Sequence, residues 1–435
     1  MKWRLTDIFK IAWGSSLAQA IGFASLPLLS YFYTPSDFGL FGFVFFGSQL
    51  LGAAMAGRYE QAIMLARRPE GAIALCIICL LIATAFTVAA VPVALFIDVY
   101  LSRGGGTPTA YPVTAAVVIG FFISLSTTLT TAAIRNGRFN LVSINRAIKA
   151  ILAPAVQVAI GLAGIGSAGG LIVGEMVAAL AAAAYALNTT GNELFRTLRA
   201  WPPKRLHSRW LGRYLASYAR RHVDFLTVNL PHTILNSAAN LIVVALITSI
   251  FASAAAGAYF MMYRIAMLPA SLMGTALSQL YFRSASIQRR EQGCFDDALK
   301  QTLAMAAGIG CSVAIVLFVS GPLMFSLVLG DHWRLSGTLA QAFAPYVAPH
   351  LILASLAPTA AIAGKMRWAL ALNIAQSGLF IATLLYFSAS VASIETALYW
   401  ASIATAPFML SIAAWYWHLS KQRSPQSLFS RTSHP

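Results

Sequence analysis

The sequence predicts an all-α, polytopic membrane protein with about twelve transmembrane helices. Hydrophobic residues make up 58% of its 435 residues and charged residues only 10%, which is too few for the surface of a soluble protein of this length. The apolar residues fall in runs of roughly 20, the length with which a helix crosses the hydrocarbon core. Lys and Arg, 30 in all, are concentrated on one side of the predicted membrane.

The apolar runs place the helices along the chain, with boundaries accurate to a few residues. The predicted helices lie near 8–33, 38–56, 72–98, 111–134, 147–166, 168–189, 223–250, 253–281, 301–329, 341–363, 369–391 and 395–418. The first run follows basic residues, as a signal peptide does, but it is too long and has no convincing cleavage site. We therefore expect an uncleaved first helix.

The distribution of positive charge predicts the orientation. With a cytoplasmic N-terminus, 27 of the 30 Lys and Arg residues lie on the cytoplasmic side. The outer side has only Arg103 and Arg334, and Arg264 lies inside a span. By the positive-inside rule both termini are cytoplasmic. The net charge of +17 then reflects contact with an anionic leaflet, and we expect no nucleic-acid partner.

The longest loop, at about 190–222, divides the predicted helices into two sets of six. We expect an N-terminal lobe at 1–189, a basic cytoplasmic linker at 190–222, a C-terminal lobe at 223–420 and a cytoplasmic tail at 421–435. The linker interleaves basic residues with Trp and Tyr, which suits a segment at the membrane interface; a solvated linker explains the same pattern. A weak repeat of short turn, Gly and aromatic-rich helix supports two related halves, an arrangement typical of alternating-access transporters.

Arg264 is the most informative polar residue of the spans. It lies about 11 residues into the helix at 253–281, near mid-bilayer at about 1.5 Å per residue. A charge there costs at least ~2.5 kcal/mol, so the side chain must face a partner or a cavity. A packing salt bridge is one interpretation; we favour an anion-binding group in a transport cavity.

A polar stripe follows the seventh predicted helix, formed by Asn229, His232, Asn236 and Asn240. At about 100° per residue the four positions fall within an arc of about 80°. One Asn alone could join two helices by a hydrogen bond. Four polar residues on one face favour the lining of a wet cavity.

Two single ionisable residues, Glu175 and His350, lie within other predicted spans. Each fits a proton or cation relay equally as well as a hydrogen bond to a neighbouring helix. Glu60 and Asp224 lie at cytoplasmic ends of helices, where we expect them to be solvated or interfacial. The first lobe has no mid-span cation comparable with Arg264 in the predicted helices.

Other patterns predict packing rather than chemistry. Gly166, Gly170 and Gly174 form a row of small residues that indicates close helix packing. Cys76 and Cys79 lie in an apolar run without a second Cys or His pair, so we expect no metal site. No nucleophile and base combine into a catalytic site, and no phosphate loop is present. The sequence therefore predicts neither an enzyme nor a cofactor.

Four segments resemble one family. They are LPLLSYFYTPSDFGLF at 26–41, GRYEQAI at 57–63, GAYFMMYRIAMLP at 257–269 and QLYF at 279–282. They are similar to the oligosaccharide flippases of O-antigen type in the polysaccharide transporter family, within the multidrug/oligosaccharidyl-lipid/polysaccharide (MOP) superfamily. The resemblance in helix count and motif order covers nearly the whole chain.

The resemblance implies two six-helix lobes around a central cavity. It implies transport of undecaprenyl-diphosphate-linked oligosaccharide from the inner to the outer leaflet of the bacterial plasma membrane, with cavity cations engaging the diphosphate. Arg264 matches that expectation. The implied partners are the lipid-linked oligosaccharide and membrane lipid, with other membrane proteins of polysaccharide assembly as candidates.

Three alternatives stay open at this point. A cation-coupled multidrug exporter of the same superfamily would favour an acidic cavity, and Glu175 is the only clear mid-span acid. A glycan polymerase or ligase generally needs a sizeable outer loop, and the outer loops predicted here are short. A scaffold without transport would not need an Arg at mid-bilayer.

Overall fold

The computed structural model describes residues 21–66, 68–103, 111–194, 208–390 and 393–422, and the regular structure in these ranges is helical throughout. In chain order the helices are α1 (Leu26–Phe32), α2 (Pro35–Ala54), α3 (Tyr59–Ala62), α4 (Pro69–Arg103), α5 (Pro112–Arg135), α6 (Phe139–Leu162), α7 (Ala168–Ala186), α8 (Ser208–Arg221), α9 (Leu230–Phe251), α10 (Ser253–Ala266), α11 (Leu268–Gln292), α12 (Asp296–Leu329), α13 (Arg334–Leu356), α14 (Thr359–Ala363), α15 (Met366–Ser390) and α16 (Ile394–Lys421).

Eleven helices within the described ranges are long and apolar enough to cross a membrane. One of them, Ser253–Gln292, combines α10 and α11. The predicted first helix at 8–33 is described only from residue 21, where it contributes the shorter apolar helix Ile21–Phe32; its remainder lies outside the described residues. The predicted class, an all-α polytopic membrane protein, is confirmed.

The TPSD segment begins α2 with a capping box. The Asp37 backbone N–H donates to the Thr34 hydroxyl, and the Thr34 backbone N–H donates to the Asp37 carboxylate at 2.9 Å. Pro35 occupies the first turn, where its missing N–H costs nothing. The second carboxylate oxygen of Asp37 accepts a hydrogen bond from the Ala168 backbone N–H at 2.8 Å. One motif therefore fixes the starts of both α2 and α7.

Several helices extend beyond the predicted apolar runs. α6 begins at Phe139 rather than near 147, and α11 continues to Gln292 rather than ending near 281. The added turns contain Arg, Gln and Glu, which are good helix formers but lower the average hydropathy. The apolar pattern located the most apolar part of each of these helices and missed the polar turns that extend it.

The chain separates into two compact units, Met1–Ala245 and Leu246–Pro435. The boundary lies within α9, whereas the sequence pattern placed the division at the linker 190–222. The four-part division of the chain stays a prediction.

In the first unit the linker contains a helix, α8. Leu215 and Tyr218 on its apolar face pack against a buried cluster of α3 and α4. Gly71 leaves space for this contact, since a Cβ there would lie 2.7 Å from the Tyr218 ring. Arg213 and Arg220 are exposed. The helix thus packs its apolar face on protein and leaves basic residues accessible.

The glycine row packs α6 and α1 closely against α7. A Cβ at Gly174 would lie 2.4 Å from Cγ of Gln157, and one at Gly166 would lie 2.6 Å from the Phe32 carbonyl oxygen. A Cβ at Gly170 would lie 2.8 Å from two further side chains. The predicted close packing at this row is confirmed.

In the second unit, α12 and α13 form the tightest crossing. A Cβ at Gly337 would lie 2.4 Å from Cα of Pro322 and 2.6 Å from the Gly321 carbonyl oxygen. The turn Asp331–Trp333 joins the two helices, and Trp333 is fully buried. This hairpin supports the helix that holds His350.

Candidate functional site

Arg264 lies deep within an apolar helical segment of the second unit. It is the twelfth of the 14 residues of α10, and α10 and α11 together form a segment of 40 residues. The break between them at Met267 is followed by Pro269 in the first turn of α11. The Arg264 side chain is partly exposed, and its guanidinium carbon lies 5.6 Å from the centre of the Phe260 ring.

An aromatic cluster lies beside this arginine. Its rings belong to Tyr259, Tyr263, Phe343, Tyr346 and Phe380. Tyr263 of α10 lies 6.2 Å from Phe343 of α13, and Tyr346 stacks on Phe343 at 4.8 Å. His350 stacks on the other side of Tyr346 at 5.4 Å. The rings of Tyr263, Phe343 and Tyr346 thus connect the helix of Arg264 with His350. The hydroxyl-bearing side chains of Tyr263 and Tyr346 are partly exposed.

Gln376 of α15 contributes a polar contact to this cluster. Its side-chain amide donates a hydrogen bond to the Tyr346 hydroxyl at 3.2 Å. The helices α10, α13 and α15 therefore supply a cluster of aromatic faces, hydroxyl groups and an amide, and Arg264 is the residue that follows Tyr263 of this cluster in α10. Such a set suits a ligand that is both anionic and rich in hydroxyl groups.

The predicted stripe of α9 lies in the first unit. Asn236 is exposed, whereas Asn229 and Asn240 are partly buried; the side chain of His232 lies outside the described residues. Asn229 ends a π-turn, Phe225–Asn229, and its amide lies 3.4 Å from the side-chain oxygen of Gln61. The structure therefore gives Asn229 a partner from the GRYEQ segment.

Glu175 pairs with a cation that the sequence analysis missed. Its Oε1 lies 3.0 Å from Nζ of Lys149, with 7% of the Glu175 side chain exposed and 31% of the Lys149 side chain. Lys149 is the eleventh of the 24 residues of α6. The expectation that the first lobe has no mid-span cation was therefore wrong.

The error follows from where α6 begins. A helix starting near 147 places Lys149 in its first turn, at the cytoplasmic end, whereas a start at Phe139 places it about 15 Å along the axis,. The polar spacing Asn145, Arg146 and Lys149, at intervals of one, three and four residues, was the available signal. It matches one face of a helix and would have extended α6 toward its N-terminus.

The GRYE segment forms a strained elbow between α2 and α4. Gly57 and Arg58 both adopt left-handed backbone with φ of 62°, which costs a non-glycine residue about 1–3 kcal/mol. Arg58 pairs with Oε1 of Glu60 at 3.1 Å, and the Tyr59 hydroxyl donates to the Ala219 carbonyl of α8 at 3.2 Å. The elbow thereby holds α8 in place.

Glu60 is buried, which contradicts the solvated alternative of its expected position; the interfacial alternative stays a prediction. Only 5% of the residue is exposed. Burial raises the pKa of its carboxyl, while backbone hydrogen bonding and the Arg58 charge oppose that rise. The Glu60 Oε2 and the Arg58 Nε have no hydrogen-bond partner among the described residues. The left-handed turn that folds Arg58 back over Glu60 cannot be recognised from hydropathy.

Asp98 is the other buried acidic residue in the described spans of the first unit, and its hydrogen bonds have a structural role. Asp98, near the end of α4, accepts hydrogen bonds from the backbone N–H groups of Val113 and Thr114 and from the Thr114 hydroxyl. It therefore caps α5, since the first N–H groups of a helix have no partners within it.

Solved structures with a similar fold are transporters. A lipid II flippase, MurJ, in an inward closed conformation matches with a TM-score of 0.69 at 11% identity, over 93% of this chain and 87% of that one. An inward-facing multidrug resistance MATE family transporter of the MOP superfamily matches with 0.61 at 15% identity, over 97% and 96%. A MOP superfamily transporter from Pyrococcus furiosus matches with 0.58 at 16% identity, over 96% of each chain.

These likenesses define the class: the chain has the fold of the MOP superfamily transporters. Residues 28–337 match the model of the polysaccharide biosynthesis protein family, and the chain belongs to that family. The resemblance inferred from its motifs is thereby confirmed at the level of the family. A comparison with curated proteins gave no match.

Proposed function

We propose that this protein is a flippase for polyprenyl-diphosphate-linked oligosaccharide. It moves the lipid from the inner to the outer leaflet of the bacterial plasma membrane by alternating access, without catalysing a covalent change. The observation that carries the proposal is the position of Arg264, well inside the membrane-span candidate Ser253–Gln292, against the Phe260 ring and next in sequence to Tyr263 of the aromatic cluster. Membership of a polysaccharide biosynthesis family and a transporter fold support it.

The physical reason is the mismatch between the two parts of such a lipid. The polyprenyl tail is stable in the bilayer, whereas the sugars and the diphosphate are not. A polar cavity lowers the barrier for the head group while the tail stays in lipid. Arg264, the stripe of α9 and, as ion-coupling candidates, Glu175 and His350 are the residues that we assign to that path.

A multidrug exporter of the same superfamily is the main alternative. A site for cationic drugs requires a carboxylate whose charge is available. Glu175 has Lys149 as its partner at 3.0 Å, and Asp98 accepts three hydrogen bonds at the start of α5. These partners favour an anionic substrate over a cationic one.

The orientation is part of the proposal, and reporter fusions test it. We predict that fusions after Arg199 and at the C-terminus report the cytoplasm, and that a fusion at Gly105 reports the outside. The cause is that the sequence pattern assigns 27 of the 30 Lys and Arg residues to the cytoplasmic side, of which 26 remain when Lys149 is assigned to α6,. A periplasmic C-terminus would contradict the even number of spans.

A deletion strain tests the function itself. We expect loss of the surface polysaccharide together with accumulation of its lipid-linked precursor in the inner leaflet, because synthesis continues while translocation stops. Restoration by a plasmid copy is the control. Undiminished surface polysaccharide in the deletion strain would contradict the proposal. So would a precursor that an externally added glycosidase digests in that strain, because a precursor held in the inner leaflet is out of reach of the enzyme.

A further inference from the structure

The Lys149 and Glu175 pair joins α6 to α7 in the interior of the first unit. Lys149 lies near the middle of α6, a position where an unpaired charge is costly in a bilayer. The two partners differ in accessibility, since the carboxylate side chain is 7% exposed and the ammonium side chain 31%. The anion is therefore enclosed, and the cation is accessible from outside the pair.

The accessible side of Lys149 is not the apolar face of α6. Ile144 and Ile151 mark that face, with exposures of 46% and 51%. At about 100° per residue, Lys149 lies about 140° from Ile144 and about 160° from Ile151. Arg146, which is exposed, lies only about 60° from Lys149. The charges share a face that is opposite to the exposed isoleucines.

The pair is held by charge, unlike its polar neighbours. Asn145 donates to the Ala182 carbonyl at 2.6 Å, and Gln157 donates to the Leu171 carbonyl at 2.8 Å. Those hydrogen bonds lock α6 to α7 on both sides of Lys149. The Glu175 Oε1 that lies 3.0 Å from Lys149 makes no hydrogen bond with acceptable geometry among the described residues. The ammonium therefore has donors that are not directed at the carboxylate.

We propose that Lys149 and Glu175 form an anion-exchange site, in which Glu175 holds the ammonium until a phosphate or diphosphate group takes its place. This rests on the proposed function for the origin of the anion. Glu175 keeps Lys149 neutralised when the site is empty, because a lone charge at this depth is unfavourable. A ligand with several phosphate oxygens can use donors that one misaligned carboxylate leaves unused.

The exchange model makes the carboxylate a competitor of the ligand, which a purely structural pair is not. Glu175→Gln removes the competing charge and retains Lys149. Lys149→Gln/Glu175→Gln also lacks the ion pair and differs from the single variant only at the ammonium. The two variants are therefore a matched pair for the contribution of Lys149 to anion binding.

The experiment measures Kd of the purified full chain in nanodiscs for farnesyl diphosphate, with inorganic pyrophosphate and farnesol as parallel probes. We expect Glu175→Gln to bind farnesyl diphosphate about fivefold more tightly than the native chain. The double variant should bind about tenfold more weakly than Glu175→Gln. Farnesol should not distinguish the three proteins, because it lacks the diphosphate.

The two phosphate probes identify the source of the anion. The same changes for pyrophosphate assign the site to the phosphate group itself, and changes confined to farnesyl diphosphate assign it to a lipid head group; both support the exchange site. Equal affinities of Glu175→Gln and the double variant, at equal thermal stability, would overturn it. If the double variant does not accumulate, Lys149→Met/Glu175→Gln replaces it, since Met keeps most of the stem without the charge.

The failure of this inference is distinguishable from failure of the proposed function. Affinities that do not depend on Lys149, together with loss of surface polysaccharide in the deletion strain, would remove the exchange site and leave the flippase. A Lys149-dependent affinity with intact polysaccharide in the deletion strain would support the anion site at Lys149 and remove the flippase function.

Discussion

Replacement of Arg264 by Ala is expected to abolish export of the glycan while the protein still inserts and accumulates. The guanidinium has a partly exposed position deep in the segment Ser253–Gln292, where a charge costs at least ~2.5 kcal/mol. A diphosphate supplies a compensating charge and accepts the planar fork of Arg donors. The assay is surface polysaccharide in the deletion strain, with protein level measured in parallel.

Arg264→Lys separates charge from geometry. A Lys retains the positive charge but replaces the fork with a compact ammonium. We expect partial export from this variant, between that of the native chain and that of Arg264→Ala. Equal export by Lys and Arg would indicate that charge alone suffices.

Arg289 offers a matched control. Its guanidinium carbon also lies 5.6 Å from a phenylalanine ring, that of Phe295, and its side chain is also partly exposed. It lies near the polar end of α11 instead of the apolar interior. Arg289→Ala therefore removes a contact of the same kind and should leave export intact. Normal export by a stable Arg264→Ala protein would refute the anion-site assignment.

A structural role for Arg264 predicts a different result. Arg264→Ala would then lower the amount of folded protein, and neutralising an acidic partner would restore it. Glu175, the clear mid-span acid of the sequence, is the first acidic partner to consider. The structure pairs Glu175 with Lys149, so Glu175→Gln has no reason to rescue Arg264→Ala.

The sequence was sufficient for the parts of the fold that depend on average hydropathy and on spacing. The apolar runs located the spans, and the four-residue interval of Gly166, Gly170 and Gly174 predicted close packing, because these two signals are local. The depth of Lys149 and the burial of Glu60 were missed. Both depend on where a helix starts or how a turn folds, and a single polar residue that extends a helix changes average hydropathy very little.

The candidate site shows the same limit. The spacing of the Asn residues on α9 was sufficient to place them on one face, since helical periodicity fixes that relation. The aromatic cluster beside Arg264 was not predicted, because Phe343, Tyr346 and Phe380 come from helices distant in sequence. Contacts between distant helices have no signature in one sequence, and they decide which single polar residue belongs to a site.

The tight contact at Gly174 connects stability with the proposed exchange site. Gly174 precedes Glu175, and its neighbours are Cγ of Gln157 at 2.4 Å and the Ala153 carbonyl oxygen at 2.9 Å from an added Cβ. Gln157 is buried and donates to Leu171, so it cannot move away without losing that hydrogen bond. An added methyl group must therefore separate α6 from α7.

We expect Gly174→Ala to lower the free energy of unfolding by about 1–3 kcal/mol, the range for overpacking a close-packed interior. Gly308→Ala in α12 is the matched control, since its added Cβ has no neighbour within 4 Å and Ala is the better helix former by about 0.5–1 kcal/mol. Thermal unfolding in detergent, followed by size-exclusion chromatography, should show opposite shifts for the two variants.

Separation of α6 from α7 also widens the 3.0 Å contact of Lys149 with Glu175, so Gly174→Ala should change the affinity for farnesyl diphosphate while Gly308→Ala does not. Unchanged stability of Gly174→Ala would contradict the close contact of α6 with α7 at this glycine.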